Sequence, residues 1–289
     1  MELINSKTLQ RLKDIDQAGY FEPHFPGCAH SRFEHSVGVY LLLKIYGAPL
    51  EEQIAGLIHD VSHSAFSHCI DYVLDDGSQK EQNHQDNVFE EFVRKSEIPE
   101  ILGKYGFDLD YILDDKNFPL KERDLPDLCA DRIDYSLRTA TVLRKIENGK
   151  YFIDNLSAEN GRWIFKNFES AEKYAELFLW LNTEYYAGLP SAVMFRSVGD
   201  YLRYALSQNY ISEDDLYTTD RIVLEKIEPH LETDSHLRLL FDRMNNKIGF
   251  KNDPNDYEVE ISCKSRLVNP LCWHEGEIKR LSDVKTELE

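Results

Sequence analysis

The sequence predicts an all-α body with a small β-containing C-terminal lobe. Three observations carry that expectation. Apolar residues recur at helical spacing through most of the 289 residues, prolines and glycines punctuate those stretches at their ends, and residues 257–262 alternate apolar with polar side chains as a strand would. With 42% hydrophobic and 12% aromatic residues and no low-complexity tract, the chain can bury a sizeable core. The expected organisation is a core over residues 1–150, with residues 151–289 as a helical extension and a small α+β lobe packed on it.

Taken in order, Leu9, Leu12 and Ile15 predict a short opening helix that ends before Gly19, and Gln17 sits at the junction. Pro23, Pro26 and Gly27 then break regular structure. A helix from Phe33 to Tyr46, with Val37, Tyr40 and Leu41 in its pattern, carries His35 in its first turn. Pro49 and the acidic pair Glu51-Glu52 suit the start of a second helix, whose apolar residues run directly into His59-Asp60. Residues 61–68 are rich in small side chains and read as pocket lining. Asn83 can cap a helix from His84 to Lys95. After Pro126, Asp127 opens a longer pattern through Leu143, on which Asp131, Tyr135 and Arg138 share a face. Further helices are expected over residues 170–182 and 192–207, with Arg266–Val268 pairing near the strand at 257–262.

Thirty-three basic against 52 acidic residues give a net charge of −19, which argues against a surface that tracks nucleic-acid phosphates. No apolar run approaches the roughly 20 residues that span a bilayer, and the first residues lack the basic and apolar regions of a signal peptide. A cytoplasmic protein is expected. Five cysteines, an odd number without CxxC spacing, suggest neither a disulfide framework nor a thiolate zinc site.

Seven of the ten histidines lie between His24 and His84, and an ordered series runs His35, His59-Asp60, Asp131. Two neutral imidazoles and two carboxylates suit one divalent ion, with Mn, Fe or Zn as candidates. A His-Asp pair arises about once by chance in such a chain, so its context decides. Here the pair closes an apolar helix, where an unpaired carboxylate is expensive. His63, His68 and His84 cluster around it in sequence.

The stretches Ser31-Arg32-Phe33-Glu34-His35-Ser36, Ala55-Gly56-Leu57-Ile58-His59-Asp60-Val61-Ser62-His63, Phe66-Ser67-His68 and Asp131-Arg132-Ile133-Asp134-Tyr135 resemble the HD-domain phosphohydrolases. Among these, the deoxynucleoside triphosphate triphosphohydrolases are the nearest in pattern. The resemblance implies an HD-domain helical bundle in which His35, His59, Asp60 and Asp131 hold one divalent metal, with Mg or Ni as further occupants of a purified sample. It also implies a homo-oligomer acting on a small-molecule nucleotide or other phosphoester by metal-assisted hydrolysis. His68 matches the general acid, while His63 and His84 match positions that bind or polarise phosphates, with Asp71 and Gln85 as orienting partners. Arg32 and Arg132 match phosphate contacts, Tyr135 an aromatic packed on the sugar, and Gln17 a residue bonded to a sugar hydroxyl. Arg138 is a further candidate cation.

Two departures bear on the substrate. Thr139 stands where the triphosphohydrolases carry an acidic sugar contact, and of residues 185–196, where they are Arg-rich, only Arg196 is basic. A triphosphate carries about four negative charges and calls for several cations. A deoxynucleoside triphosphate, cleaved to deoxynucleoside and tripolyphosphate, is therefore the leading substrate beside a nucleoside monophosphate or another small phosphoester. A catalytically weak nucleotide-binding regulator is a competing class, against which the intact ligand series and His68 argue. An acidic scaffold for a basic partner has only the net charge in its favour.

Overall fold

Local sequence signals set the helix boundaries. At the start of the helix Arg32–Ile45, Ser31 Oγ accepts the Glu34 N–H at 3.3 Å and Glu34 Oε2 accepts the Ser31 N–H at 2.8 Å, a reciprocal capping box. The computed structural model describes residues 2–74 and 81–288. None of the described helices is long and apolar enough to cross a membrane. The chain forms two compact units, each assembled from separated stretches: Met1–Glu34, Asp60–Ile101 and Tyr185–Lys264 in the first, His35–His59, Leu102–Glu184 and Ser265–Glu289 in the second.

In the first unit the helix Leu189–Ser207 supplies the core through Met194, Phe195, Val198, Tyr201 and Leu202. Tyr72 stacks on Phe195 with ring centroids 5.4 Å apart and planes 9° apart. Pro190 occupies the first turn of this helix, which therefore starts ahead of the expected Ala192. The helix His84–Lys95 has the expected bounds but a different cap. Asn83 makes no capping bond, and Asp71 Oδ1 accepts the His84 N–H at 3.1 Å instead.

In the second unit, the helices Leu50–Ile58, Ala130–Val142 and Phe168–Leu181 accompany a four-stranded sheet. The long helix begins at Ala130, later than the expected Asp127, because Cys129 takes the cap position and its Sγ accepts the Arg132 N–H at 3.4 Å.

The four-stranded sheet bears out the β-containing part of the expectation and makes the all-α description too strict. Its strands are β1 (Leu156–Glu159), β2 (Arg162–Phe165), β3 (Leu271–His274) and β4 (Glu277–Arg280), in spatial order β1-β2-β3-β4. The outer pairs are antiparallel hairpins, and β2 runs parallel to β3 with Ile164 opposite Leu271. Residues 257–262 and 266–268, expected as strands, are irregular. Alternation alone does not make a strand, since a ladder partner is also required. The hairpins have a different signal: Asn160-Gly161 (φ 50° and 69°) and Glu275-Gly276 (φ 50° and 85°) place two left-handed residues in each two-residue turn.

Candidate metal centre and histidine cluster

The second unit brings together His35 on the helix Arg32–Ile45, His59 just past the helix Leu50–Ile58, and Asp131 in the first turn of Ala130–Val142. His35 Nε2 lies 2.8 Å from Asp131 Oδ1, and His59 Nε2 lies 3.2 Å from His35 Nε2 and 3.4 Å from Asp131 Oδ1. The other ring nitrogens fix the protons. His59 Nδ1 is 2.8 Å from the Gly56 carbonyl, which can only accept, and His35 Nδ1 is 2.8 Å from Asp134 Oδ2. In their neutral forms both rings therefore carry hydrogen on Nδ1 and present a lone pair at Nε2. Two imidazole lone pairs and a carboxylate oxygen converge on one point, an arrangement that repels itself unless a cation occupies it. Separations near 3 Å are also those of donors sharing one ion at about 2.1 Å. The residues present thus fit a divalent metal.

Asp134, a residue of the Asp131–Tyr135 stretch to which the sequence assigns no role, orients this cluster. Its carboxylate accepts His35 Nδ1–H and is held in turn by Arg138, whose Nε and Nη2 reach Oδ2 and Oδ1 at 3.0 and 2.9 Å. A carboxylate behind a ligating imidazole sets its tautomer and raises its basicity. Gly38 makes room for the pair: a Cβ there would fall 2.0 Å from Asp134 Oδ1 and 2.3 Å from Arg138 Nη2. Burial opposes ionisation of Asp131, but the adjacent His35 and His59 outweigh it and hold the carboxyl well below its ordinary range. Arg132, next in sequence, points elsewhere. Its Nη1 donates to the Asp127 and Arg123 carbonyls at 2.7 and 3.2 Å and to Cys129 Sγ at 3.2 Å, and Glu122 stands 3.8 Å from Nη2. Glu122, Cys129 and Asp131 could also group around an ion, but that neighbourhood already contains the Arg132 guanidinium.

The first unit holds a second set. Asp60 accepts Arg32 Nη1 at 2.7 Å, and its other oxygen lies 3.4 Å from His63 Nε2. Arg32 is 2% exposed and also donates to Ser67 Oγ and to the Gln17 carbonyl. Burial, reinforced by Arg32, depresses the His63 pKa well below its usual value, so its ring is neutral near pH 7. His68 meets His63 edge-on at 5.1 Å, and its Nδ1 is 3.8 Å from Asp71 Oδ2. His84 Nε2 is 2.9 Å from the Tyr217 hydroxyl.

The turn before His68 is strained and heavily braced. Phe66 and Ser67 adopt left-handed φ of 59° and 45°, which costs about 1 kcal/mol each. The Phe66 N–H donates to Asp220 Oδ1 at 2.7 Å, the Ala65 N–H donates to the Leu216 carbonyl at 2.7 Å, and Arg32 Nε holds Ser67 Oγ at 2.7 Å. Arg11 donates to the carbonyls of Val61, His63, Tyr217 and Thr218. Asp220, Tyr217 and Arg11 were not singled out from the sequence. Nothing in local spacing marks them, because two lie more than a hundred residues from the motif they support.

Gln17 donates its backbone N–H to the His30 carbonyl, and its buried Oε1 has no hydrogen-bond partner among the described residues. Tyr135 lies with its ring 6.4 Å from His35 and 6.2 Å from Phe178. Arg196 Nε is paired with Asp200 at 2.9 Å, and Tyr185 is a core residue against Phe21 and Phe25 at 4.8 Å.

The profile of the HD domain matches residues 32–139, which include every residue of the convergent cluster. The uncharacterized protein YdhJ of Bacillus subtilis is 35% identical over 272 residues, 93% of this chain and 82% of that one. Metal-dependent phosphohydrolase cns2 of Cordyceps militaris is 36% identical over 162 residues, 55% of this chain and 46% of its own length. A deoxynucleoside triphosphate triphosphohydrolase SAMHD1 homolog of Dictyostelium discoideum is 39% identical over 102 residues, 30% of this chain and 20% of that protein. A fold of helices presenting histidines and aspartates to one ion defines a class of metal-dependent hydrolases. Within that class the chain belongs to the HD-domain phosphohydrolase family.

Proposed function

We propose that this phosphohydrolase cleaves a phosphoester of a nucleotide, with a deoxynucleoside triphosphate as the leading substrate. The observation that carries the metal-dependent reading is the convergence of His35 Nε2, His59 Nε2 and Asp131 Oδ1 with both imidazole tautomers fixed. Asp60, joined to His59 by a peptide bond, is the fourth ligand in this reading. When bound, the ion supplies charge neutralisation at the phosphoryl group and a lowered pKa for water.

The chain's own residues do the rest. Asp134 keeps His35 in the tautomer that offers Nε2. His68, with Asp71 behind Nδ1, protonates the leaving oxygen, and His63 and His84 contact the phosphates. The buried, unsatisfied Gln17 Oε1 suits a sugar hydroxyl as donor. The similarity to the SAMHD1 homolog supports a triphosphate, over a part of that protein only.

A second reading, a phosphatase for nucleoside monophosphates, is favoured by one observation. Arg32, Arg138 and Arg196 are each paired with a carboxylate of this chain, and Arg132 donates to its carbonyls. A nucleotide panel assayed on the metal-loaded protein separates the two. Tripolyphosphate release from deoxynucleoside triphosphates is expected; orthophosphate release from monophosphates alone would replace the first reading with the second, and no turnover of any nucleotide would remove both. A homo-oligomer is part of the proposal and is read by sedimentation.

A further inference from the structure

Asp16 precedes Gln17, and both of its backbone polar groups are tied to the turn before His68. Its N–H donates to Asp220 Oδ2 at 2.9 Å, while Asp220 Oδ1 accepts the Phe66 N–H at 2.7 Å. Its carbonyl accepts the Ser67 hydroxyl directly. Arg32 closes the ring, because its Nε donates to Ser67 Oγ at 2.7 Å and its Nη2 to the Gln17 carbonyl at 2.6 Å. All of these residues belong to the first unit.

Within the loop, Asp16 Oδ1 accepts the Ala18 and Gly19 N–H groups at 3.0 and 3.3 Å and Oδ2 accepts the Phe21 N–H at 3.1 Å, so the chain wraps around this carboxylate. Gln17 stands inside the wrap, with its own N–H on the His30 carbonyl at 2.8 Å. Its backbone is therefore fixed through Asp220, Ser67 and Arg32. The two residues with left-handed φ, Phe66 and Ser67, are the ones that supply the N–H and the hydroxyl to these ties, and strain of this kind persists only where the surroundings over-determine it. A carboxylate suits position 220: its two oxygens accept from two N–H donors at once, whereas an amide offers one oxygen and adds a donor.

We propose that Asp220 is a positioning residue for the reaction: it makes the Gln17 loop and the His68 turn one block, so that gripping the sugar hydroxyl and protonating the leaving oxygen depend on each other. The inference rests on the roles given to Gln17 and His68 in the nucleotide reading. It assigns the coupling to a residue outside the matched domain at 32–139.

The test is a pair of double-mutant cycles on kcat/KM, run on the metal-loaded full chain with whichever nucleotide of the panel it turns over. Asp220→Asn should lower kcat/KM about tenfold, with kcat falling as well as KM rising, at parental metal content. In a Gln17→Ala background the same substitution should cost about threefold or less, because the side chain it places is gone, and a His68→Ala background should shrink the cost likewise. Ser67→Ala leaves Asp220 in place and should repeat the pattern at smaller size, which keeps the test open if Asp220→Asn folds poorly. Amide exchange reads the block without turnover: the Gln17 N–H, which is bonded to His30 and not to Asp220, should exchange about tenfold faster in Asp220→Asn. Parental kcat/KM in both variants, fully multiplicative losses in either cycle, or a Gln17 amide at its parental exchange rate in both variants overturns the inference. A parent that turns over no nucleotide sinks the functional reading and the coupling with it, and the exchange rates then decide whether the block itself stands.

Discussion

The two histidine clusters use the same side chain for opposite ends. In the second unit His35 and His59 are locked by Asp134 and the Gly56 carbonyl, so their remaining nitrogens converge as lone pairs with Asp131. In the first unit His63, His68 and His84 do not converge on one another's lone pairs. They sit against Asp60, Asp71 and Tyr217, around a strained turn that the side chains of Asp220, Arg32 and Arg11 and the Leu216 carbonyl hold in place. The difference teaches that what surrounds the second ring nitrogen, rather than the count of histidines, decides whether imidazole lone pairs can converge on one point.

Four experiments sharpen that contrast. The largest effect belongs to Asp131→Ala, which should lose metal and more than about a thousandfold in turnover together; a variant with full metal content and full activity would show the convergent cluster to be incidental. His68→Ala should keep its metal and lose about a hundredfold in hydrolysis, so unchanged turnover removes it as the acid. Gly38→Ala pushes a methyl group against Asp134 and Arg138, and metal titration should find affinity about tenfold lower. Parental affinity would mean that the carboxylate can yield without releasing His35.

The smallest effect is one of pH and belongs to the braced turn. Burial pushes the Asp220 carboxyl up to about 8, against two backbone donors. Its folded form binds a proton that the unfolded chain, with a carboxyl near about 4, has released. The associated stability is present at low pH and is lost as pH rises through that window. His63 has the opposite sign: its depressed pKa contributes stability above about 6.5 that is lost on acidification. Thermal midpoints should therefore decline by a few degrees between pH 6 and 8.5 in the parent and decline less in Asp220→Asn. Parallel pH profiles would place the slope elsewhere.

Much of the candidate site was legible before folding was considered. Ser31 and Glu34 announce a helix start, Pro49 and the acidic pair announce the next, and His59 and Asp60 at an apolar helix end demand partners. The strands were misplaced because residues 257–262 offered an alternation that outweighed two short turn signals, Asn160-Gly161 and Glu275-Gly276. The cap of His84 was assigned to Asn83 on adjacency, whereas Asp71 takes it from 13 residues away.

By itself the sequence determined the family, the helical periods and the candidate metal-ligating side chains, because these depend on residue type and short spacing. Only the tertiary structure decided which nitrogen of each imidazole faces the convergent cluster, that Gly38 makes room for the Asp134–Arg138 pair, and that Asp220 and Arg11 brace the strained turn. It also decided that the candidate arginines of the motifs are already partnered within the chain. Tautomers and charge pairing are settled by atoms within about 3 Å, and the Asp134 that fixes His35 and the Asp60 that holds Arg32 come from separate stretches of the sequence.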